Sequence, residues 1–246
     1  MISIITPTYN SEETLRDTIE SVLSQEGVAL EYIIIDGGST DGTLDIIRAY
    51  GGRIARVVSE PDQGLYDAMN KGICLATGAI VGILNSDDVY TGRDVLAAVQ
   101  ATLDREHCDS VYADLDYVKR YRTNSVVRRW RSGAMSSAAI RWGWMPPHPT
   151  FFVRRHIYQQ HGLYCPELRF SADYELMLRF LYKYKISTCY LRRTIVNMRT
   201  GGLSNKSWKN RWQANREDRL AWRMNGLKPG IFTILCKPLR KLGQFF

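Results

Sequence analysis

The first ninety residues alternate short apolar runs with helical patterns, and this alternation leaves few folds open. Residues 2–6, 32–35, 56–59 and 79–84 read as strands. A helix follows the first of them, with Leu15, Ile19, Val22 and Leu23 at helical spacing. Asn10, with Glu13 three residues on, predicts a capping box at its start. A short helix through Ile46 and Ile47 and a longer one over residues 65–76 complete the alternation. Such a pattern predicts βαβ units, and hence an α/β fold with a mainly parallel central sheet and helices on both faces.

After residue 108 the pattern changes. Residues 111–118 and 126–130 read as a hairpin turning at residues 122–125, and residues 149–153 as another strand. Residues 171–184 read as a helix. A further helix over residues 205–225 carries Trp208, Trp212 and Trp222 among many cations, and Pro229 opens a last amphipathic piece ending in Phe245 and Phe246. The expected organisation is one α/β domain over residues 1–205 followed by a basic helical tail over 206–246. Within the domain, residues 1–116 and 117–205 form two halves.

Charge separates these parts. Residues 1–116 hold 7 Lys and Arg against 20 Asp and Glu, whereas residues 117–246 hold 26 against 5. Residues 206–246 alone carry 10 basic and 2 acidic residues, a surplus equal to the whole net charge of +8. An acidic half can host a metal, and a basic half can face phosphates of a membrane or a nucleic acid. No apolar run approaches the ~20 residues that span a bilayer, and no basic stretch precedes the first strand as in a signal peptide. The five cysteines, Cys74, Cys108, Cys165, Cys189 and Cys236, show no CxxC pair. That sparse, odd set predicts reduced thiols in the cytoplasm, with neither a disulfide frame nor a zinc site.

Three predicted strands end in polar segments: Pro7-Thr8-Tyr9-Asn10, Asp36 with its Gly-rich turn, and Asn85-Ser86-Asp87-Asp88. Ligands of open α/β sheets bind outside the carboxyl ends of the strands, so these segments would converge on one pocket. Neither GxGxxG nor GxxxxGK[ST] is present. Adjacent carboxylates suit a hard cation such as Mg²⁺, which takes one or two of them and shares its other positions with substrate phosphates. The pattern points to a nucleoside diphosphate held largely through a metal.

These segments resemble the family 2 glycosyltransferases of GT-A fold, in particular those of bacterial O-antigen, colanic acid and capsule assembly. The resemblance runs over residues 2–205. It is carried by residues 3–10, 35–43 and 85–88, by residues 59–72, and by His148-Pro149-Thr150, Ser171-Ala172-Asp173 and Gly201-Gly202-Leu203-Ser204, in the family's order. It implies that Pro7, Thr8 and Tyr9 hold the nucleotide base, that Asp36 accepts from base or ribose, and that Asp87 contacts ribose or metal. Asp88 would bind Mg²⁺ or Mn²⁺, while Asp67, Asn70 and Lys71 would lie near the nucleotide. Asn85 stands where the family more often has an acid, and Ala172 where it usually has Glu. Asp173 matches the catalytic base, and its expected place in a helix's first turn favours the ionised form. His148, Gly201 and Gly202 would line the acceptor or diphosphate side, the glycines allowing a loop to close.

The activity so implied is inverting, metal-dependent transfer of a sugar from a UDP, GDP or dTDP donor. The acceptor would be a hydroxyl of a saccharide on a polyprenyl diphosphate, at the cytoplasmic face of the inner membrane and without nucleic acid as a partner. Two alternatives remain open on the residues alone. A nucleotidyltransferase would share the sheet and metal but normally opens with a Gly-rich basic loop. A nucleic-acid-binding protein would use the basic half and its tryptophans but leaves the strand-end carboxylates unexplained.

Overall fold

A computed structural model of the chain describes residues 1–201 and 208–228, with side chains from Trp212 onward in the second stretch. The Trp208 side chain and the motif residues Gly202, Leu203 and Ser204 lie outside the described residues, as do Phe232, Phe245 and Phe246.

The elements run β1 (Ile2–Thr8), α1 (Leu15–Leu23), β2 (Leu30–Asp36), α2 (Thr43–Tyr50), β3 (Arg56–Ser59), α3 (Leu65–Leu75), β4 (Ile80–Ile83) and β5 (Asp88–Tyr90). They continue with α4 (Val95–Arg105), β6 (Ser110–Lys119), β7 (Arg122–Trp130), α5 (Ser137–Arg141), β8 (Phe152–Arg154) and α6 (Arg155–His161). The last are α7 (Ala172–Met177), β9 (Thr188–Arg199) and α8 (Trp208–Met224). The strands form one sheet in the order β3-β2-β1-β4-β8-β6-β9-β5, with β7 paired to β6. β3, β2, β1 and β4 are mutually parallel, as the alternation predicts. Antiparallel pairs enter with β8 and the β6–β7 hairpin, and β6 runs parallel to β9.

All seven residues of β1 are buried because both faces of the sheet are covered. Ile5, Ile33 and Ile35 face a core shared with α3, α7 and α8, including Met69, Leu176 and Trp222. Ile2, Ile4 and Ile34 face the opposite core, with Leu15 and Ile19 of α1, Ile47 of α2 and Val99 of α4. α3 lies so close to β1 that a Cβ on Gly72 would fall inside the Ile5 side chain.

Several boundaries differ from the sequence expectations for physical reasons. Asn10 is not a helix cap: it sits at φ 46, and α1 begins after Thr14. The hairpin turns at Arg120 and Tyr121, so residues 122–125 lie within β7. Residues 148–150 form a 3-10 turn, and only residues 152–154 form the strand β8. The helix expected over 171–184 is α7 continued by a π-helical turn over Leu178–Lys183. β9 goes unread because its residues are mostly half-buried without alternation. The thiol expectation is also corrected. Cys108 and Cys189 are joined as a disulfide, with Cα atoms 6.3 Å apart. The β6–β9 pairing places Cys189 opposite Val111, close to Cys108, although 81 residues separate the two cysteines. Cys74 and Cys165 are free.

Candidate active site

The parallel register sets Thr8 beside Asp36 and Asp36 beside Ser59, so three strand ends form one row. Asp36 is fully buried. Its Oδ2 accepts from the backbone N–H of Gly38 (3.1 Å) and Ser39 (3.0 Å) and from the Ser59 hydroxyl (2.7 Å), and Oδ1 accepts from the Ser39 hydroxyl (2.5 Å). Gly38, at φ 83, supplies the left-handed backbone that folds this turn back onto the carboxylate. Asp36 thus shapes the Gly-rich turn first of all.

The loop after β1 is laced to that turn. Asn10 Oδ1 accepts from Thr40 N–H (2.9 Å), and Glu12 Oε2 accepts from Gly42 N–H (2.7 Å). The same loop reaches the acidic segment: the Ser11 and Ser86 hydroxyls lie 2.9 Å apart, and Thr14 donates to the Ser86 carbonyl at 2.9 Å. The three predicted strand-end segments therefore do meet. Pro7 is buried within β1, and Tyr9 is 61% exposed at the rim. The Thr8 hydroxyl is buried there with no hydrogen-bond partner among the described residues.

Asp88 is completely buried at the start of β5. Its Oδ2 accepts from Asn85 Nδ2 (3.1 Å) and its Oδ1 from the backbone N–H of Arg199 (3.3 Å). Burial pushes its carboxyl well above the ordinary carboxylate range, and the neighbouring Asp87 charge adds to that. Burial raises Asp87 as well. Arg199, missed by the sequence reading, holds this corner: its 3%-exposed guanidinium donates to the carbonyls of Asp87 (2.8 Å) and Arg120 (2.7 Å) and pairs with Asp17.

A divalent cation fits these groups. Two adjacent carboxylates stand where burial disfavours their charge, and Asn85 Oδ1 is a buried acceptor with no partner among the described residues. No group of three or more His, Cys, Asp or Glu suited to a metal occurs among the described residues. Mg²⁺ does not require one, since one or two carboxylates and ligand oxygens suffice.

A second cluster borders the row. Asp173 sits in the first turn of α7, as expected. Its Oδ1 accepts from the Tyr66 hydroxyl at 3.1 Å and from the Tyr174 N–H at 2.8 Å. Tyr66 lies in the first turn of α3, after the loop that follows β3, so this bond brings Asp173 to the same carboxyl edge. The Tyr66 ring stacks on Tyr164 with centroids 5.6 Å apart, and the Tyr164 hydroxyl lies 2.8 Å from His148 Nε2. Burial lowers the His148 pKa, which the Asp173 charge opposes. Asn70 directs both ends of its amide to the Tyr164 backbone, at 2.9 Å each, tying α3 to the second half of the chain. Lys71 pairs with Glu60 (2.7 Å) and Asp67 (3.5 Å) at the rim. Gly201, at φ 115, closes the first described stretch, and its neighbour Gly202 lies outside the described residues.

The fold and the sequence place the chain among known proteins. Residues 3–184 match the family model described as glycosyl transferase family 2, and the chain belongs to that family. A PGL/p-HBAD biosynthesis glycosyltransferase of Mycobacterium bovis (strain BCG / Pasteur 1173P2) is 34% identical over 210 residues, covering 83% of this chain and 79% of the relative. A glycosyltransferase of Mycobacterium tuberculosis (strain CDC 1551 / Oshkosh) is 31% identical over 187 residues, 72% of this chain and 68% of the relative. Among solved structures, S. aureus TarS 1–349 in complex with UDP superposes with a TM-score of 0.67 at 20% identity, covering 89% of this chain and 64% of that one. The mannosyltransferase PcManGT from Pyrobaculum calidifontis, solved with GDP-Man and Mn²⁺, superposes at 0.68 and 17% identity, covering 96% and 68%. The chain thus spans about two thirds of each of these structures. The fold is GT-A, and the protein is a glycosyltransferase. This replaces the nucleotidyltransferase and nucleic-acid-binding alternatives.

Proposed function

We propose that this glycosyltransferase transfers a sugar from a UDP, GDP or dTDP donor with inversion, using Asp173 as base and a divalent cation. The observation that carries the reading is the Tyr66–Asp173 hydrogen bond, which sets a carboxylate beside the strand-end row. Asp173 Oδ2 has no hydrogen-bond partner among the described residues, so a lone pair is open to an incoming hydroxyl. That oxygen takes the acceptor's proton as the acceptor attacks the anomeric carbon from the face opposite the diphosphate. One C–O bond forms, the bond to the diphosphate breaks, and the configuration inverts without a covalent sugar–enzyme intermediate.

Thr8 and Tyr9 would border the base, with the buried Thr8 hydroxyl a ready partner for it. Asp36 would set the turn facing the ribose. Asp88, with Asp87 and Asn85 Oδ1, would hold Mg²⁺ or Mn²⁺. When bound, the cation supplies charge neutralisation for the departing diphosphate. Structures of the same fold solved with UDP, UDP-GlcNAc and GDP-Man with Mn²⁺ support this donor class. A thermal-shift panel of UDP, GDP and dTDP sugars with and without Mn²⁺ tests it. One nucleotide class should stabilise the protein only with metal, and stabilisation equal with and without metal would refute the cation's part.

The acceptor we propose is a saccharide on a lipid diphosphate at the inner-membrane surface. No helix among the described residues is long and apolar enough to cross a membrane. The outer face of α8 instead combines Trp212, Leu220 and Met224, 67%, 45% and 44% exposed, with exposed Arg216, Arg219 and Arg223. A mixed apolar and cationic face suits an anionic bilayer surface, where each cation contributes ~1 kcal/mol. The inner face holds the buried Ala221 and Trp222, so truncating the tail would open the core. The test therefore keeps the full chain. Sedimentation with phosphatidylglycerol vesicles at low salt should be lost when Arg216, Arg219 and Arg223 are changed together to Gln, and retention by that variant would refute the surface.

A further inference from the structure

We infer that Glu217 of α8 is a positioning residue for the base. The inference rests on the reading of Asp173 given under Proposed function. The turn that carries Asp173 has little local support. α7 runs six residues before it passes into the π-helical turn over Leu178–Lys183, and its N-terminal neighbour Ser171 makes no side-chain cap of its own. Backbone N–H groups at a helix start lack intrahelical partners and need others.

α8 supplies acceptors to the backbone entering this helix start, from 46 to 47 residues away. Glu217 Oε2 accepts the backbone N–H of Phe170 at 2.7 Å and of Ser171 at 3.1 Å. Ser171 in turn donates its hydroxyl to the Ala214 carbonyl at 3.2 Å. Beyond Asp173, Trp222 Nε1 donates to the Tyr174 hydroxyl at 2.9 Å, and Asn225, just past α8, donates through Nδ2 to Glu175 Oε1 at 2.9 Å. Residues 170, 171, 174 and 175 are thereby held from one side. Asp173 is left to meet Tyr66 on the other.

Glu217 itself is 7% exposed, and its second oxygen accepts from Gln213 Nε2 at 3.0 Å. A buried carboxylate is costly unless its lone pairs are met, and hydrogen bonds to an ionised acceptor are the stronger kind. Here two of the three donors belong to the backbone two and three residues before Asp173. Loss of Glu217 therefore displaces the base, and a displacement near 1 Å costs on the order of 10²-fold in rate.

The test uses the full chain and two probes, UDP-GlcNAc and GDP-mannose with Mn²⁺, following release of nucleoside diphosphate with water as the acceptor whose proton the base takes. Glu217→Ala should lower turnover about 10- to 100-fold while leaving the affinity for UDP or GDP within about two-fold. Glu217→Gln retains an acceptor oxygen and should recover part of the rate. Amide exchange should accelerate at residues 170–174 in Glu217→Ala and not around Asp36. Asp173→Asn is the control. If that variant is inactive while Glu217→Ala turns over normally, the positioning role is wrong and the base reading stands. If Asp173→Asn keeps full turnover, the base reading itself fails. Should Glu217→Ala not fold, Glu217→Gln carries the comparison. Should neither probe donor be turned over, unchanged exchange at residues 170–174 overturns the inference. Nucleotide affinity falling in parallel with rate in both variants also overturns it, since that marks a general structural role.

Discussion

Tyr66 donates its hydroxyl to Oδ1 of Asp173 at 3.1 Å, across 107 residues of chain. Burial and the Asp173 charge hold the phenol well above its usual pKa, so it stays a donor at any working pH. Tyr66→Phe removes this one hydrogen bond and keeps the ring stack on Tyr164. The expected cost in stability is about 0.5–1.5 kcal/mol. Turnover should fall several-fold with donor affinity unchanged, as read from separate kcat and Kd measurements. Asp173→Asn should keep donor binding and abolish transfer. A donor affinity that collapses together with transfer would instead mark the aspartate as structural.

On the proposed reading, Asp88 sets stability against function. Its carboxylate is fully buried with one amide and one backbone N–H as partners. In the metal-free protein, Asp88→Asn removes a charge that burial disfavours. Its melting temperature should therefore rise by a few degrees, about 2–4 °C per kcal/mol at this chain length. The same variant should lose the Mn²⁺-dependent stabilisation by nucleotide and lose turnover. Calorimetric scans with EDTA and with Mn²⁺ plus UDP or GDP check both halves. A variant that is less stable in EDTA would show that the buried charge is already well compensated by its surroundings.

The parts of this site legible in the sequence are those carried by one local segment. Asp36, Asp87 and Asp88 stand at ends of apolar runs, so strand position alone brought them together. What stayed hidden are contacts between segments with no shared local pattern. Arg199 ends a strand without alternation, and its partners Asp87, Arg120 and Asp17 lie 112, 79 and 182 residues away. The Tyr66–Tyr164–His148 cluster joins a helix start, a loop and a 3-10 turn in the same way. Asn10 misled because an Asn followed by Glu three residues on fits a cap, whereas its amide serves the neighbouring turn. For Glu217 a signal was present. Glu217 and Asp218 are the only acids among residues 206–246, and both are buried within an otherwise basic helix. An acid that breaks a run of cations is a place to look for an internal partner.

His148 gives a pH dependence of defined sign. Burial lowers its folded-state pKa below the value of ~6.5 expected in an unfolded chain. Between those two values the unfolded state binds more protons, so stability rises with pH across that window. The contribution is fully present above about pH 6.5 and is lost as the pH falls toward the folded-state value. The His148 contribution should accordingly lower the denaturant midpoint from pH 7.5 to pH 5.5, against the opposite contribution of Asp87 and Asp88, whose carboxyls burial raises. His148→Gln keeps polar atoms within reach of the Tyr164 hydroxyl and removes the titration, so its midpoints should fall less than those of wild type over that range. The Asp173 charge works against the burial of the imidazolium. Asp173→Asn removes that opposition, so it should steepen the decrease relative to wild type while His148→Gln flattens it. Equal slopes for all three proteins would show that His148 does not titrate in this window and that the Asp173 charge does not act on it.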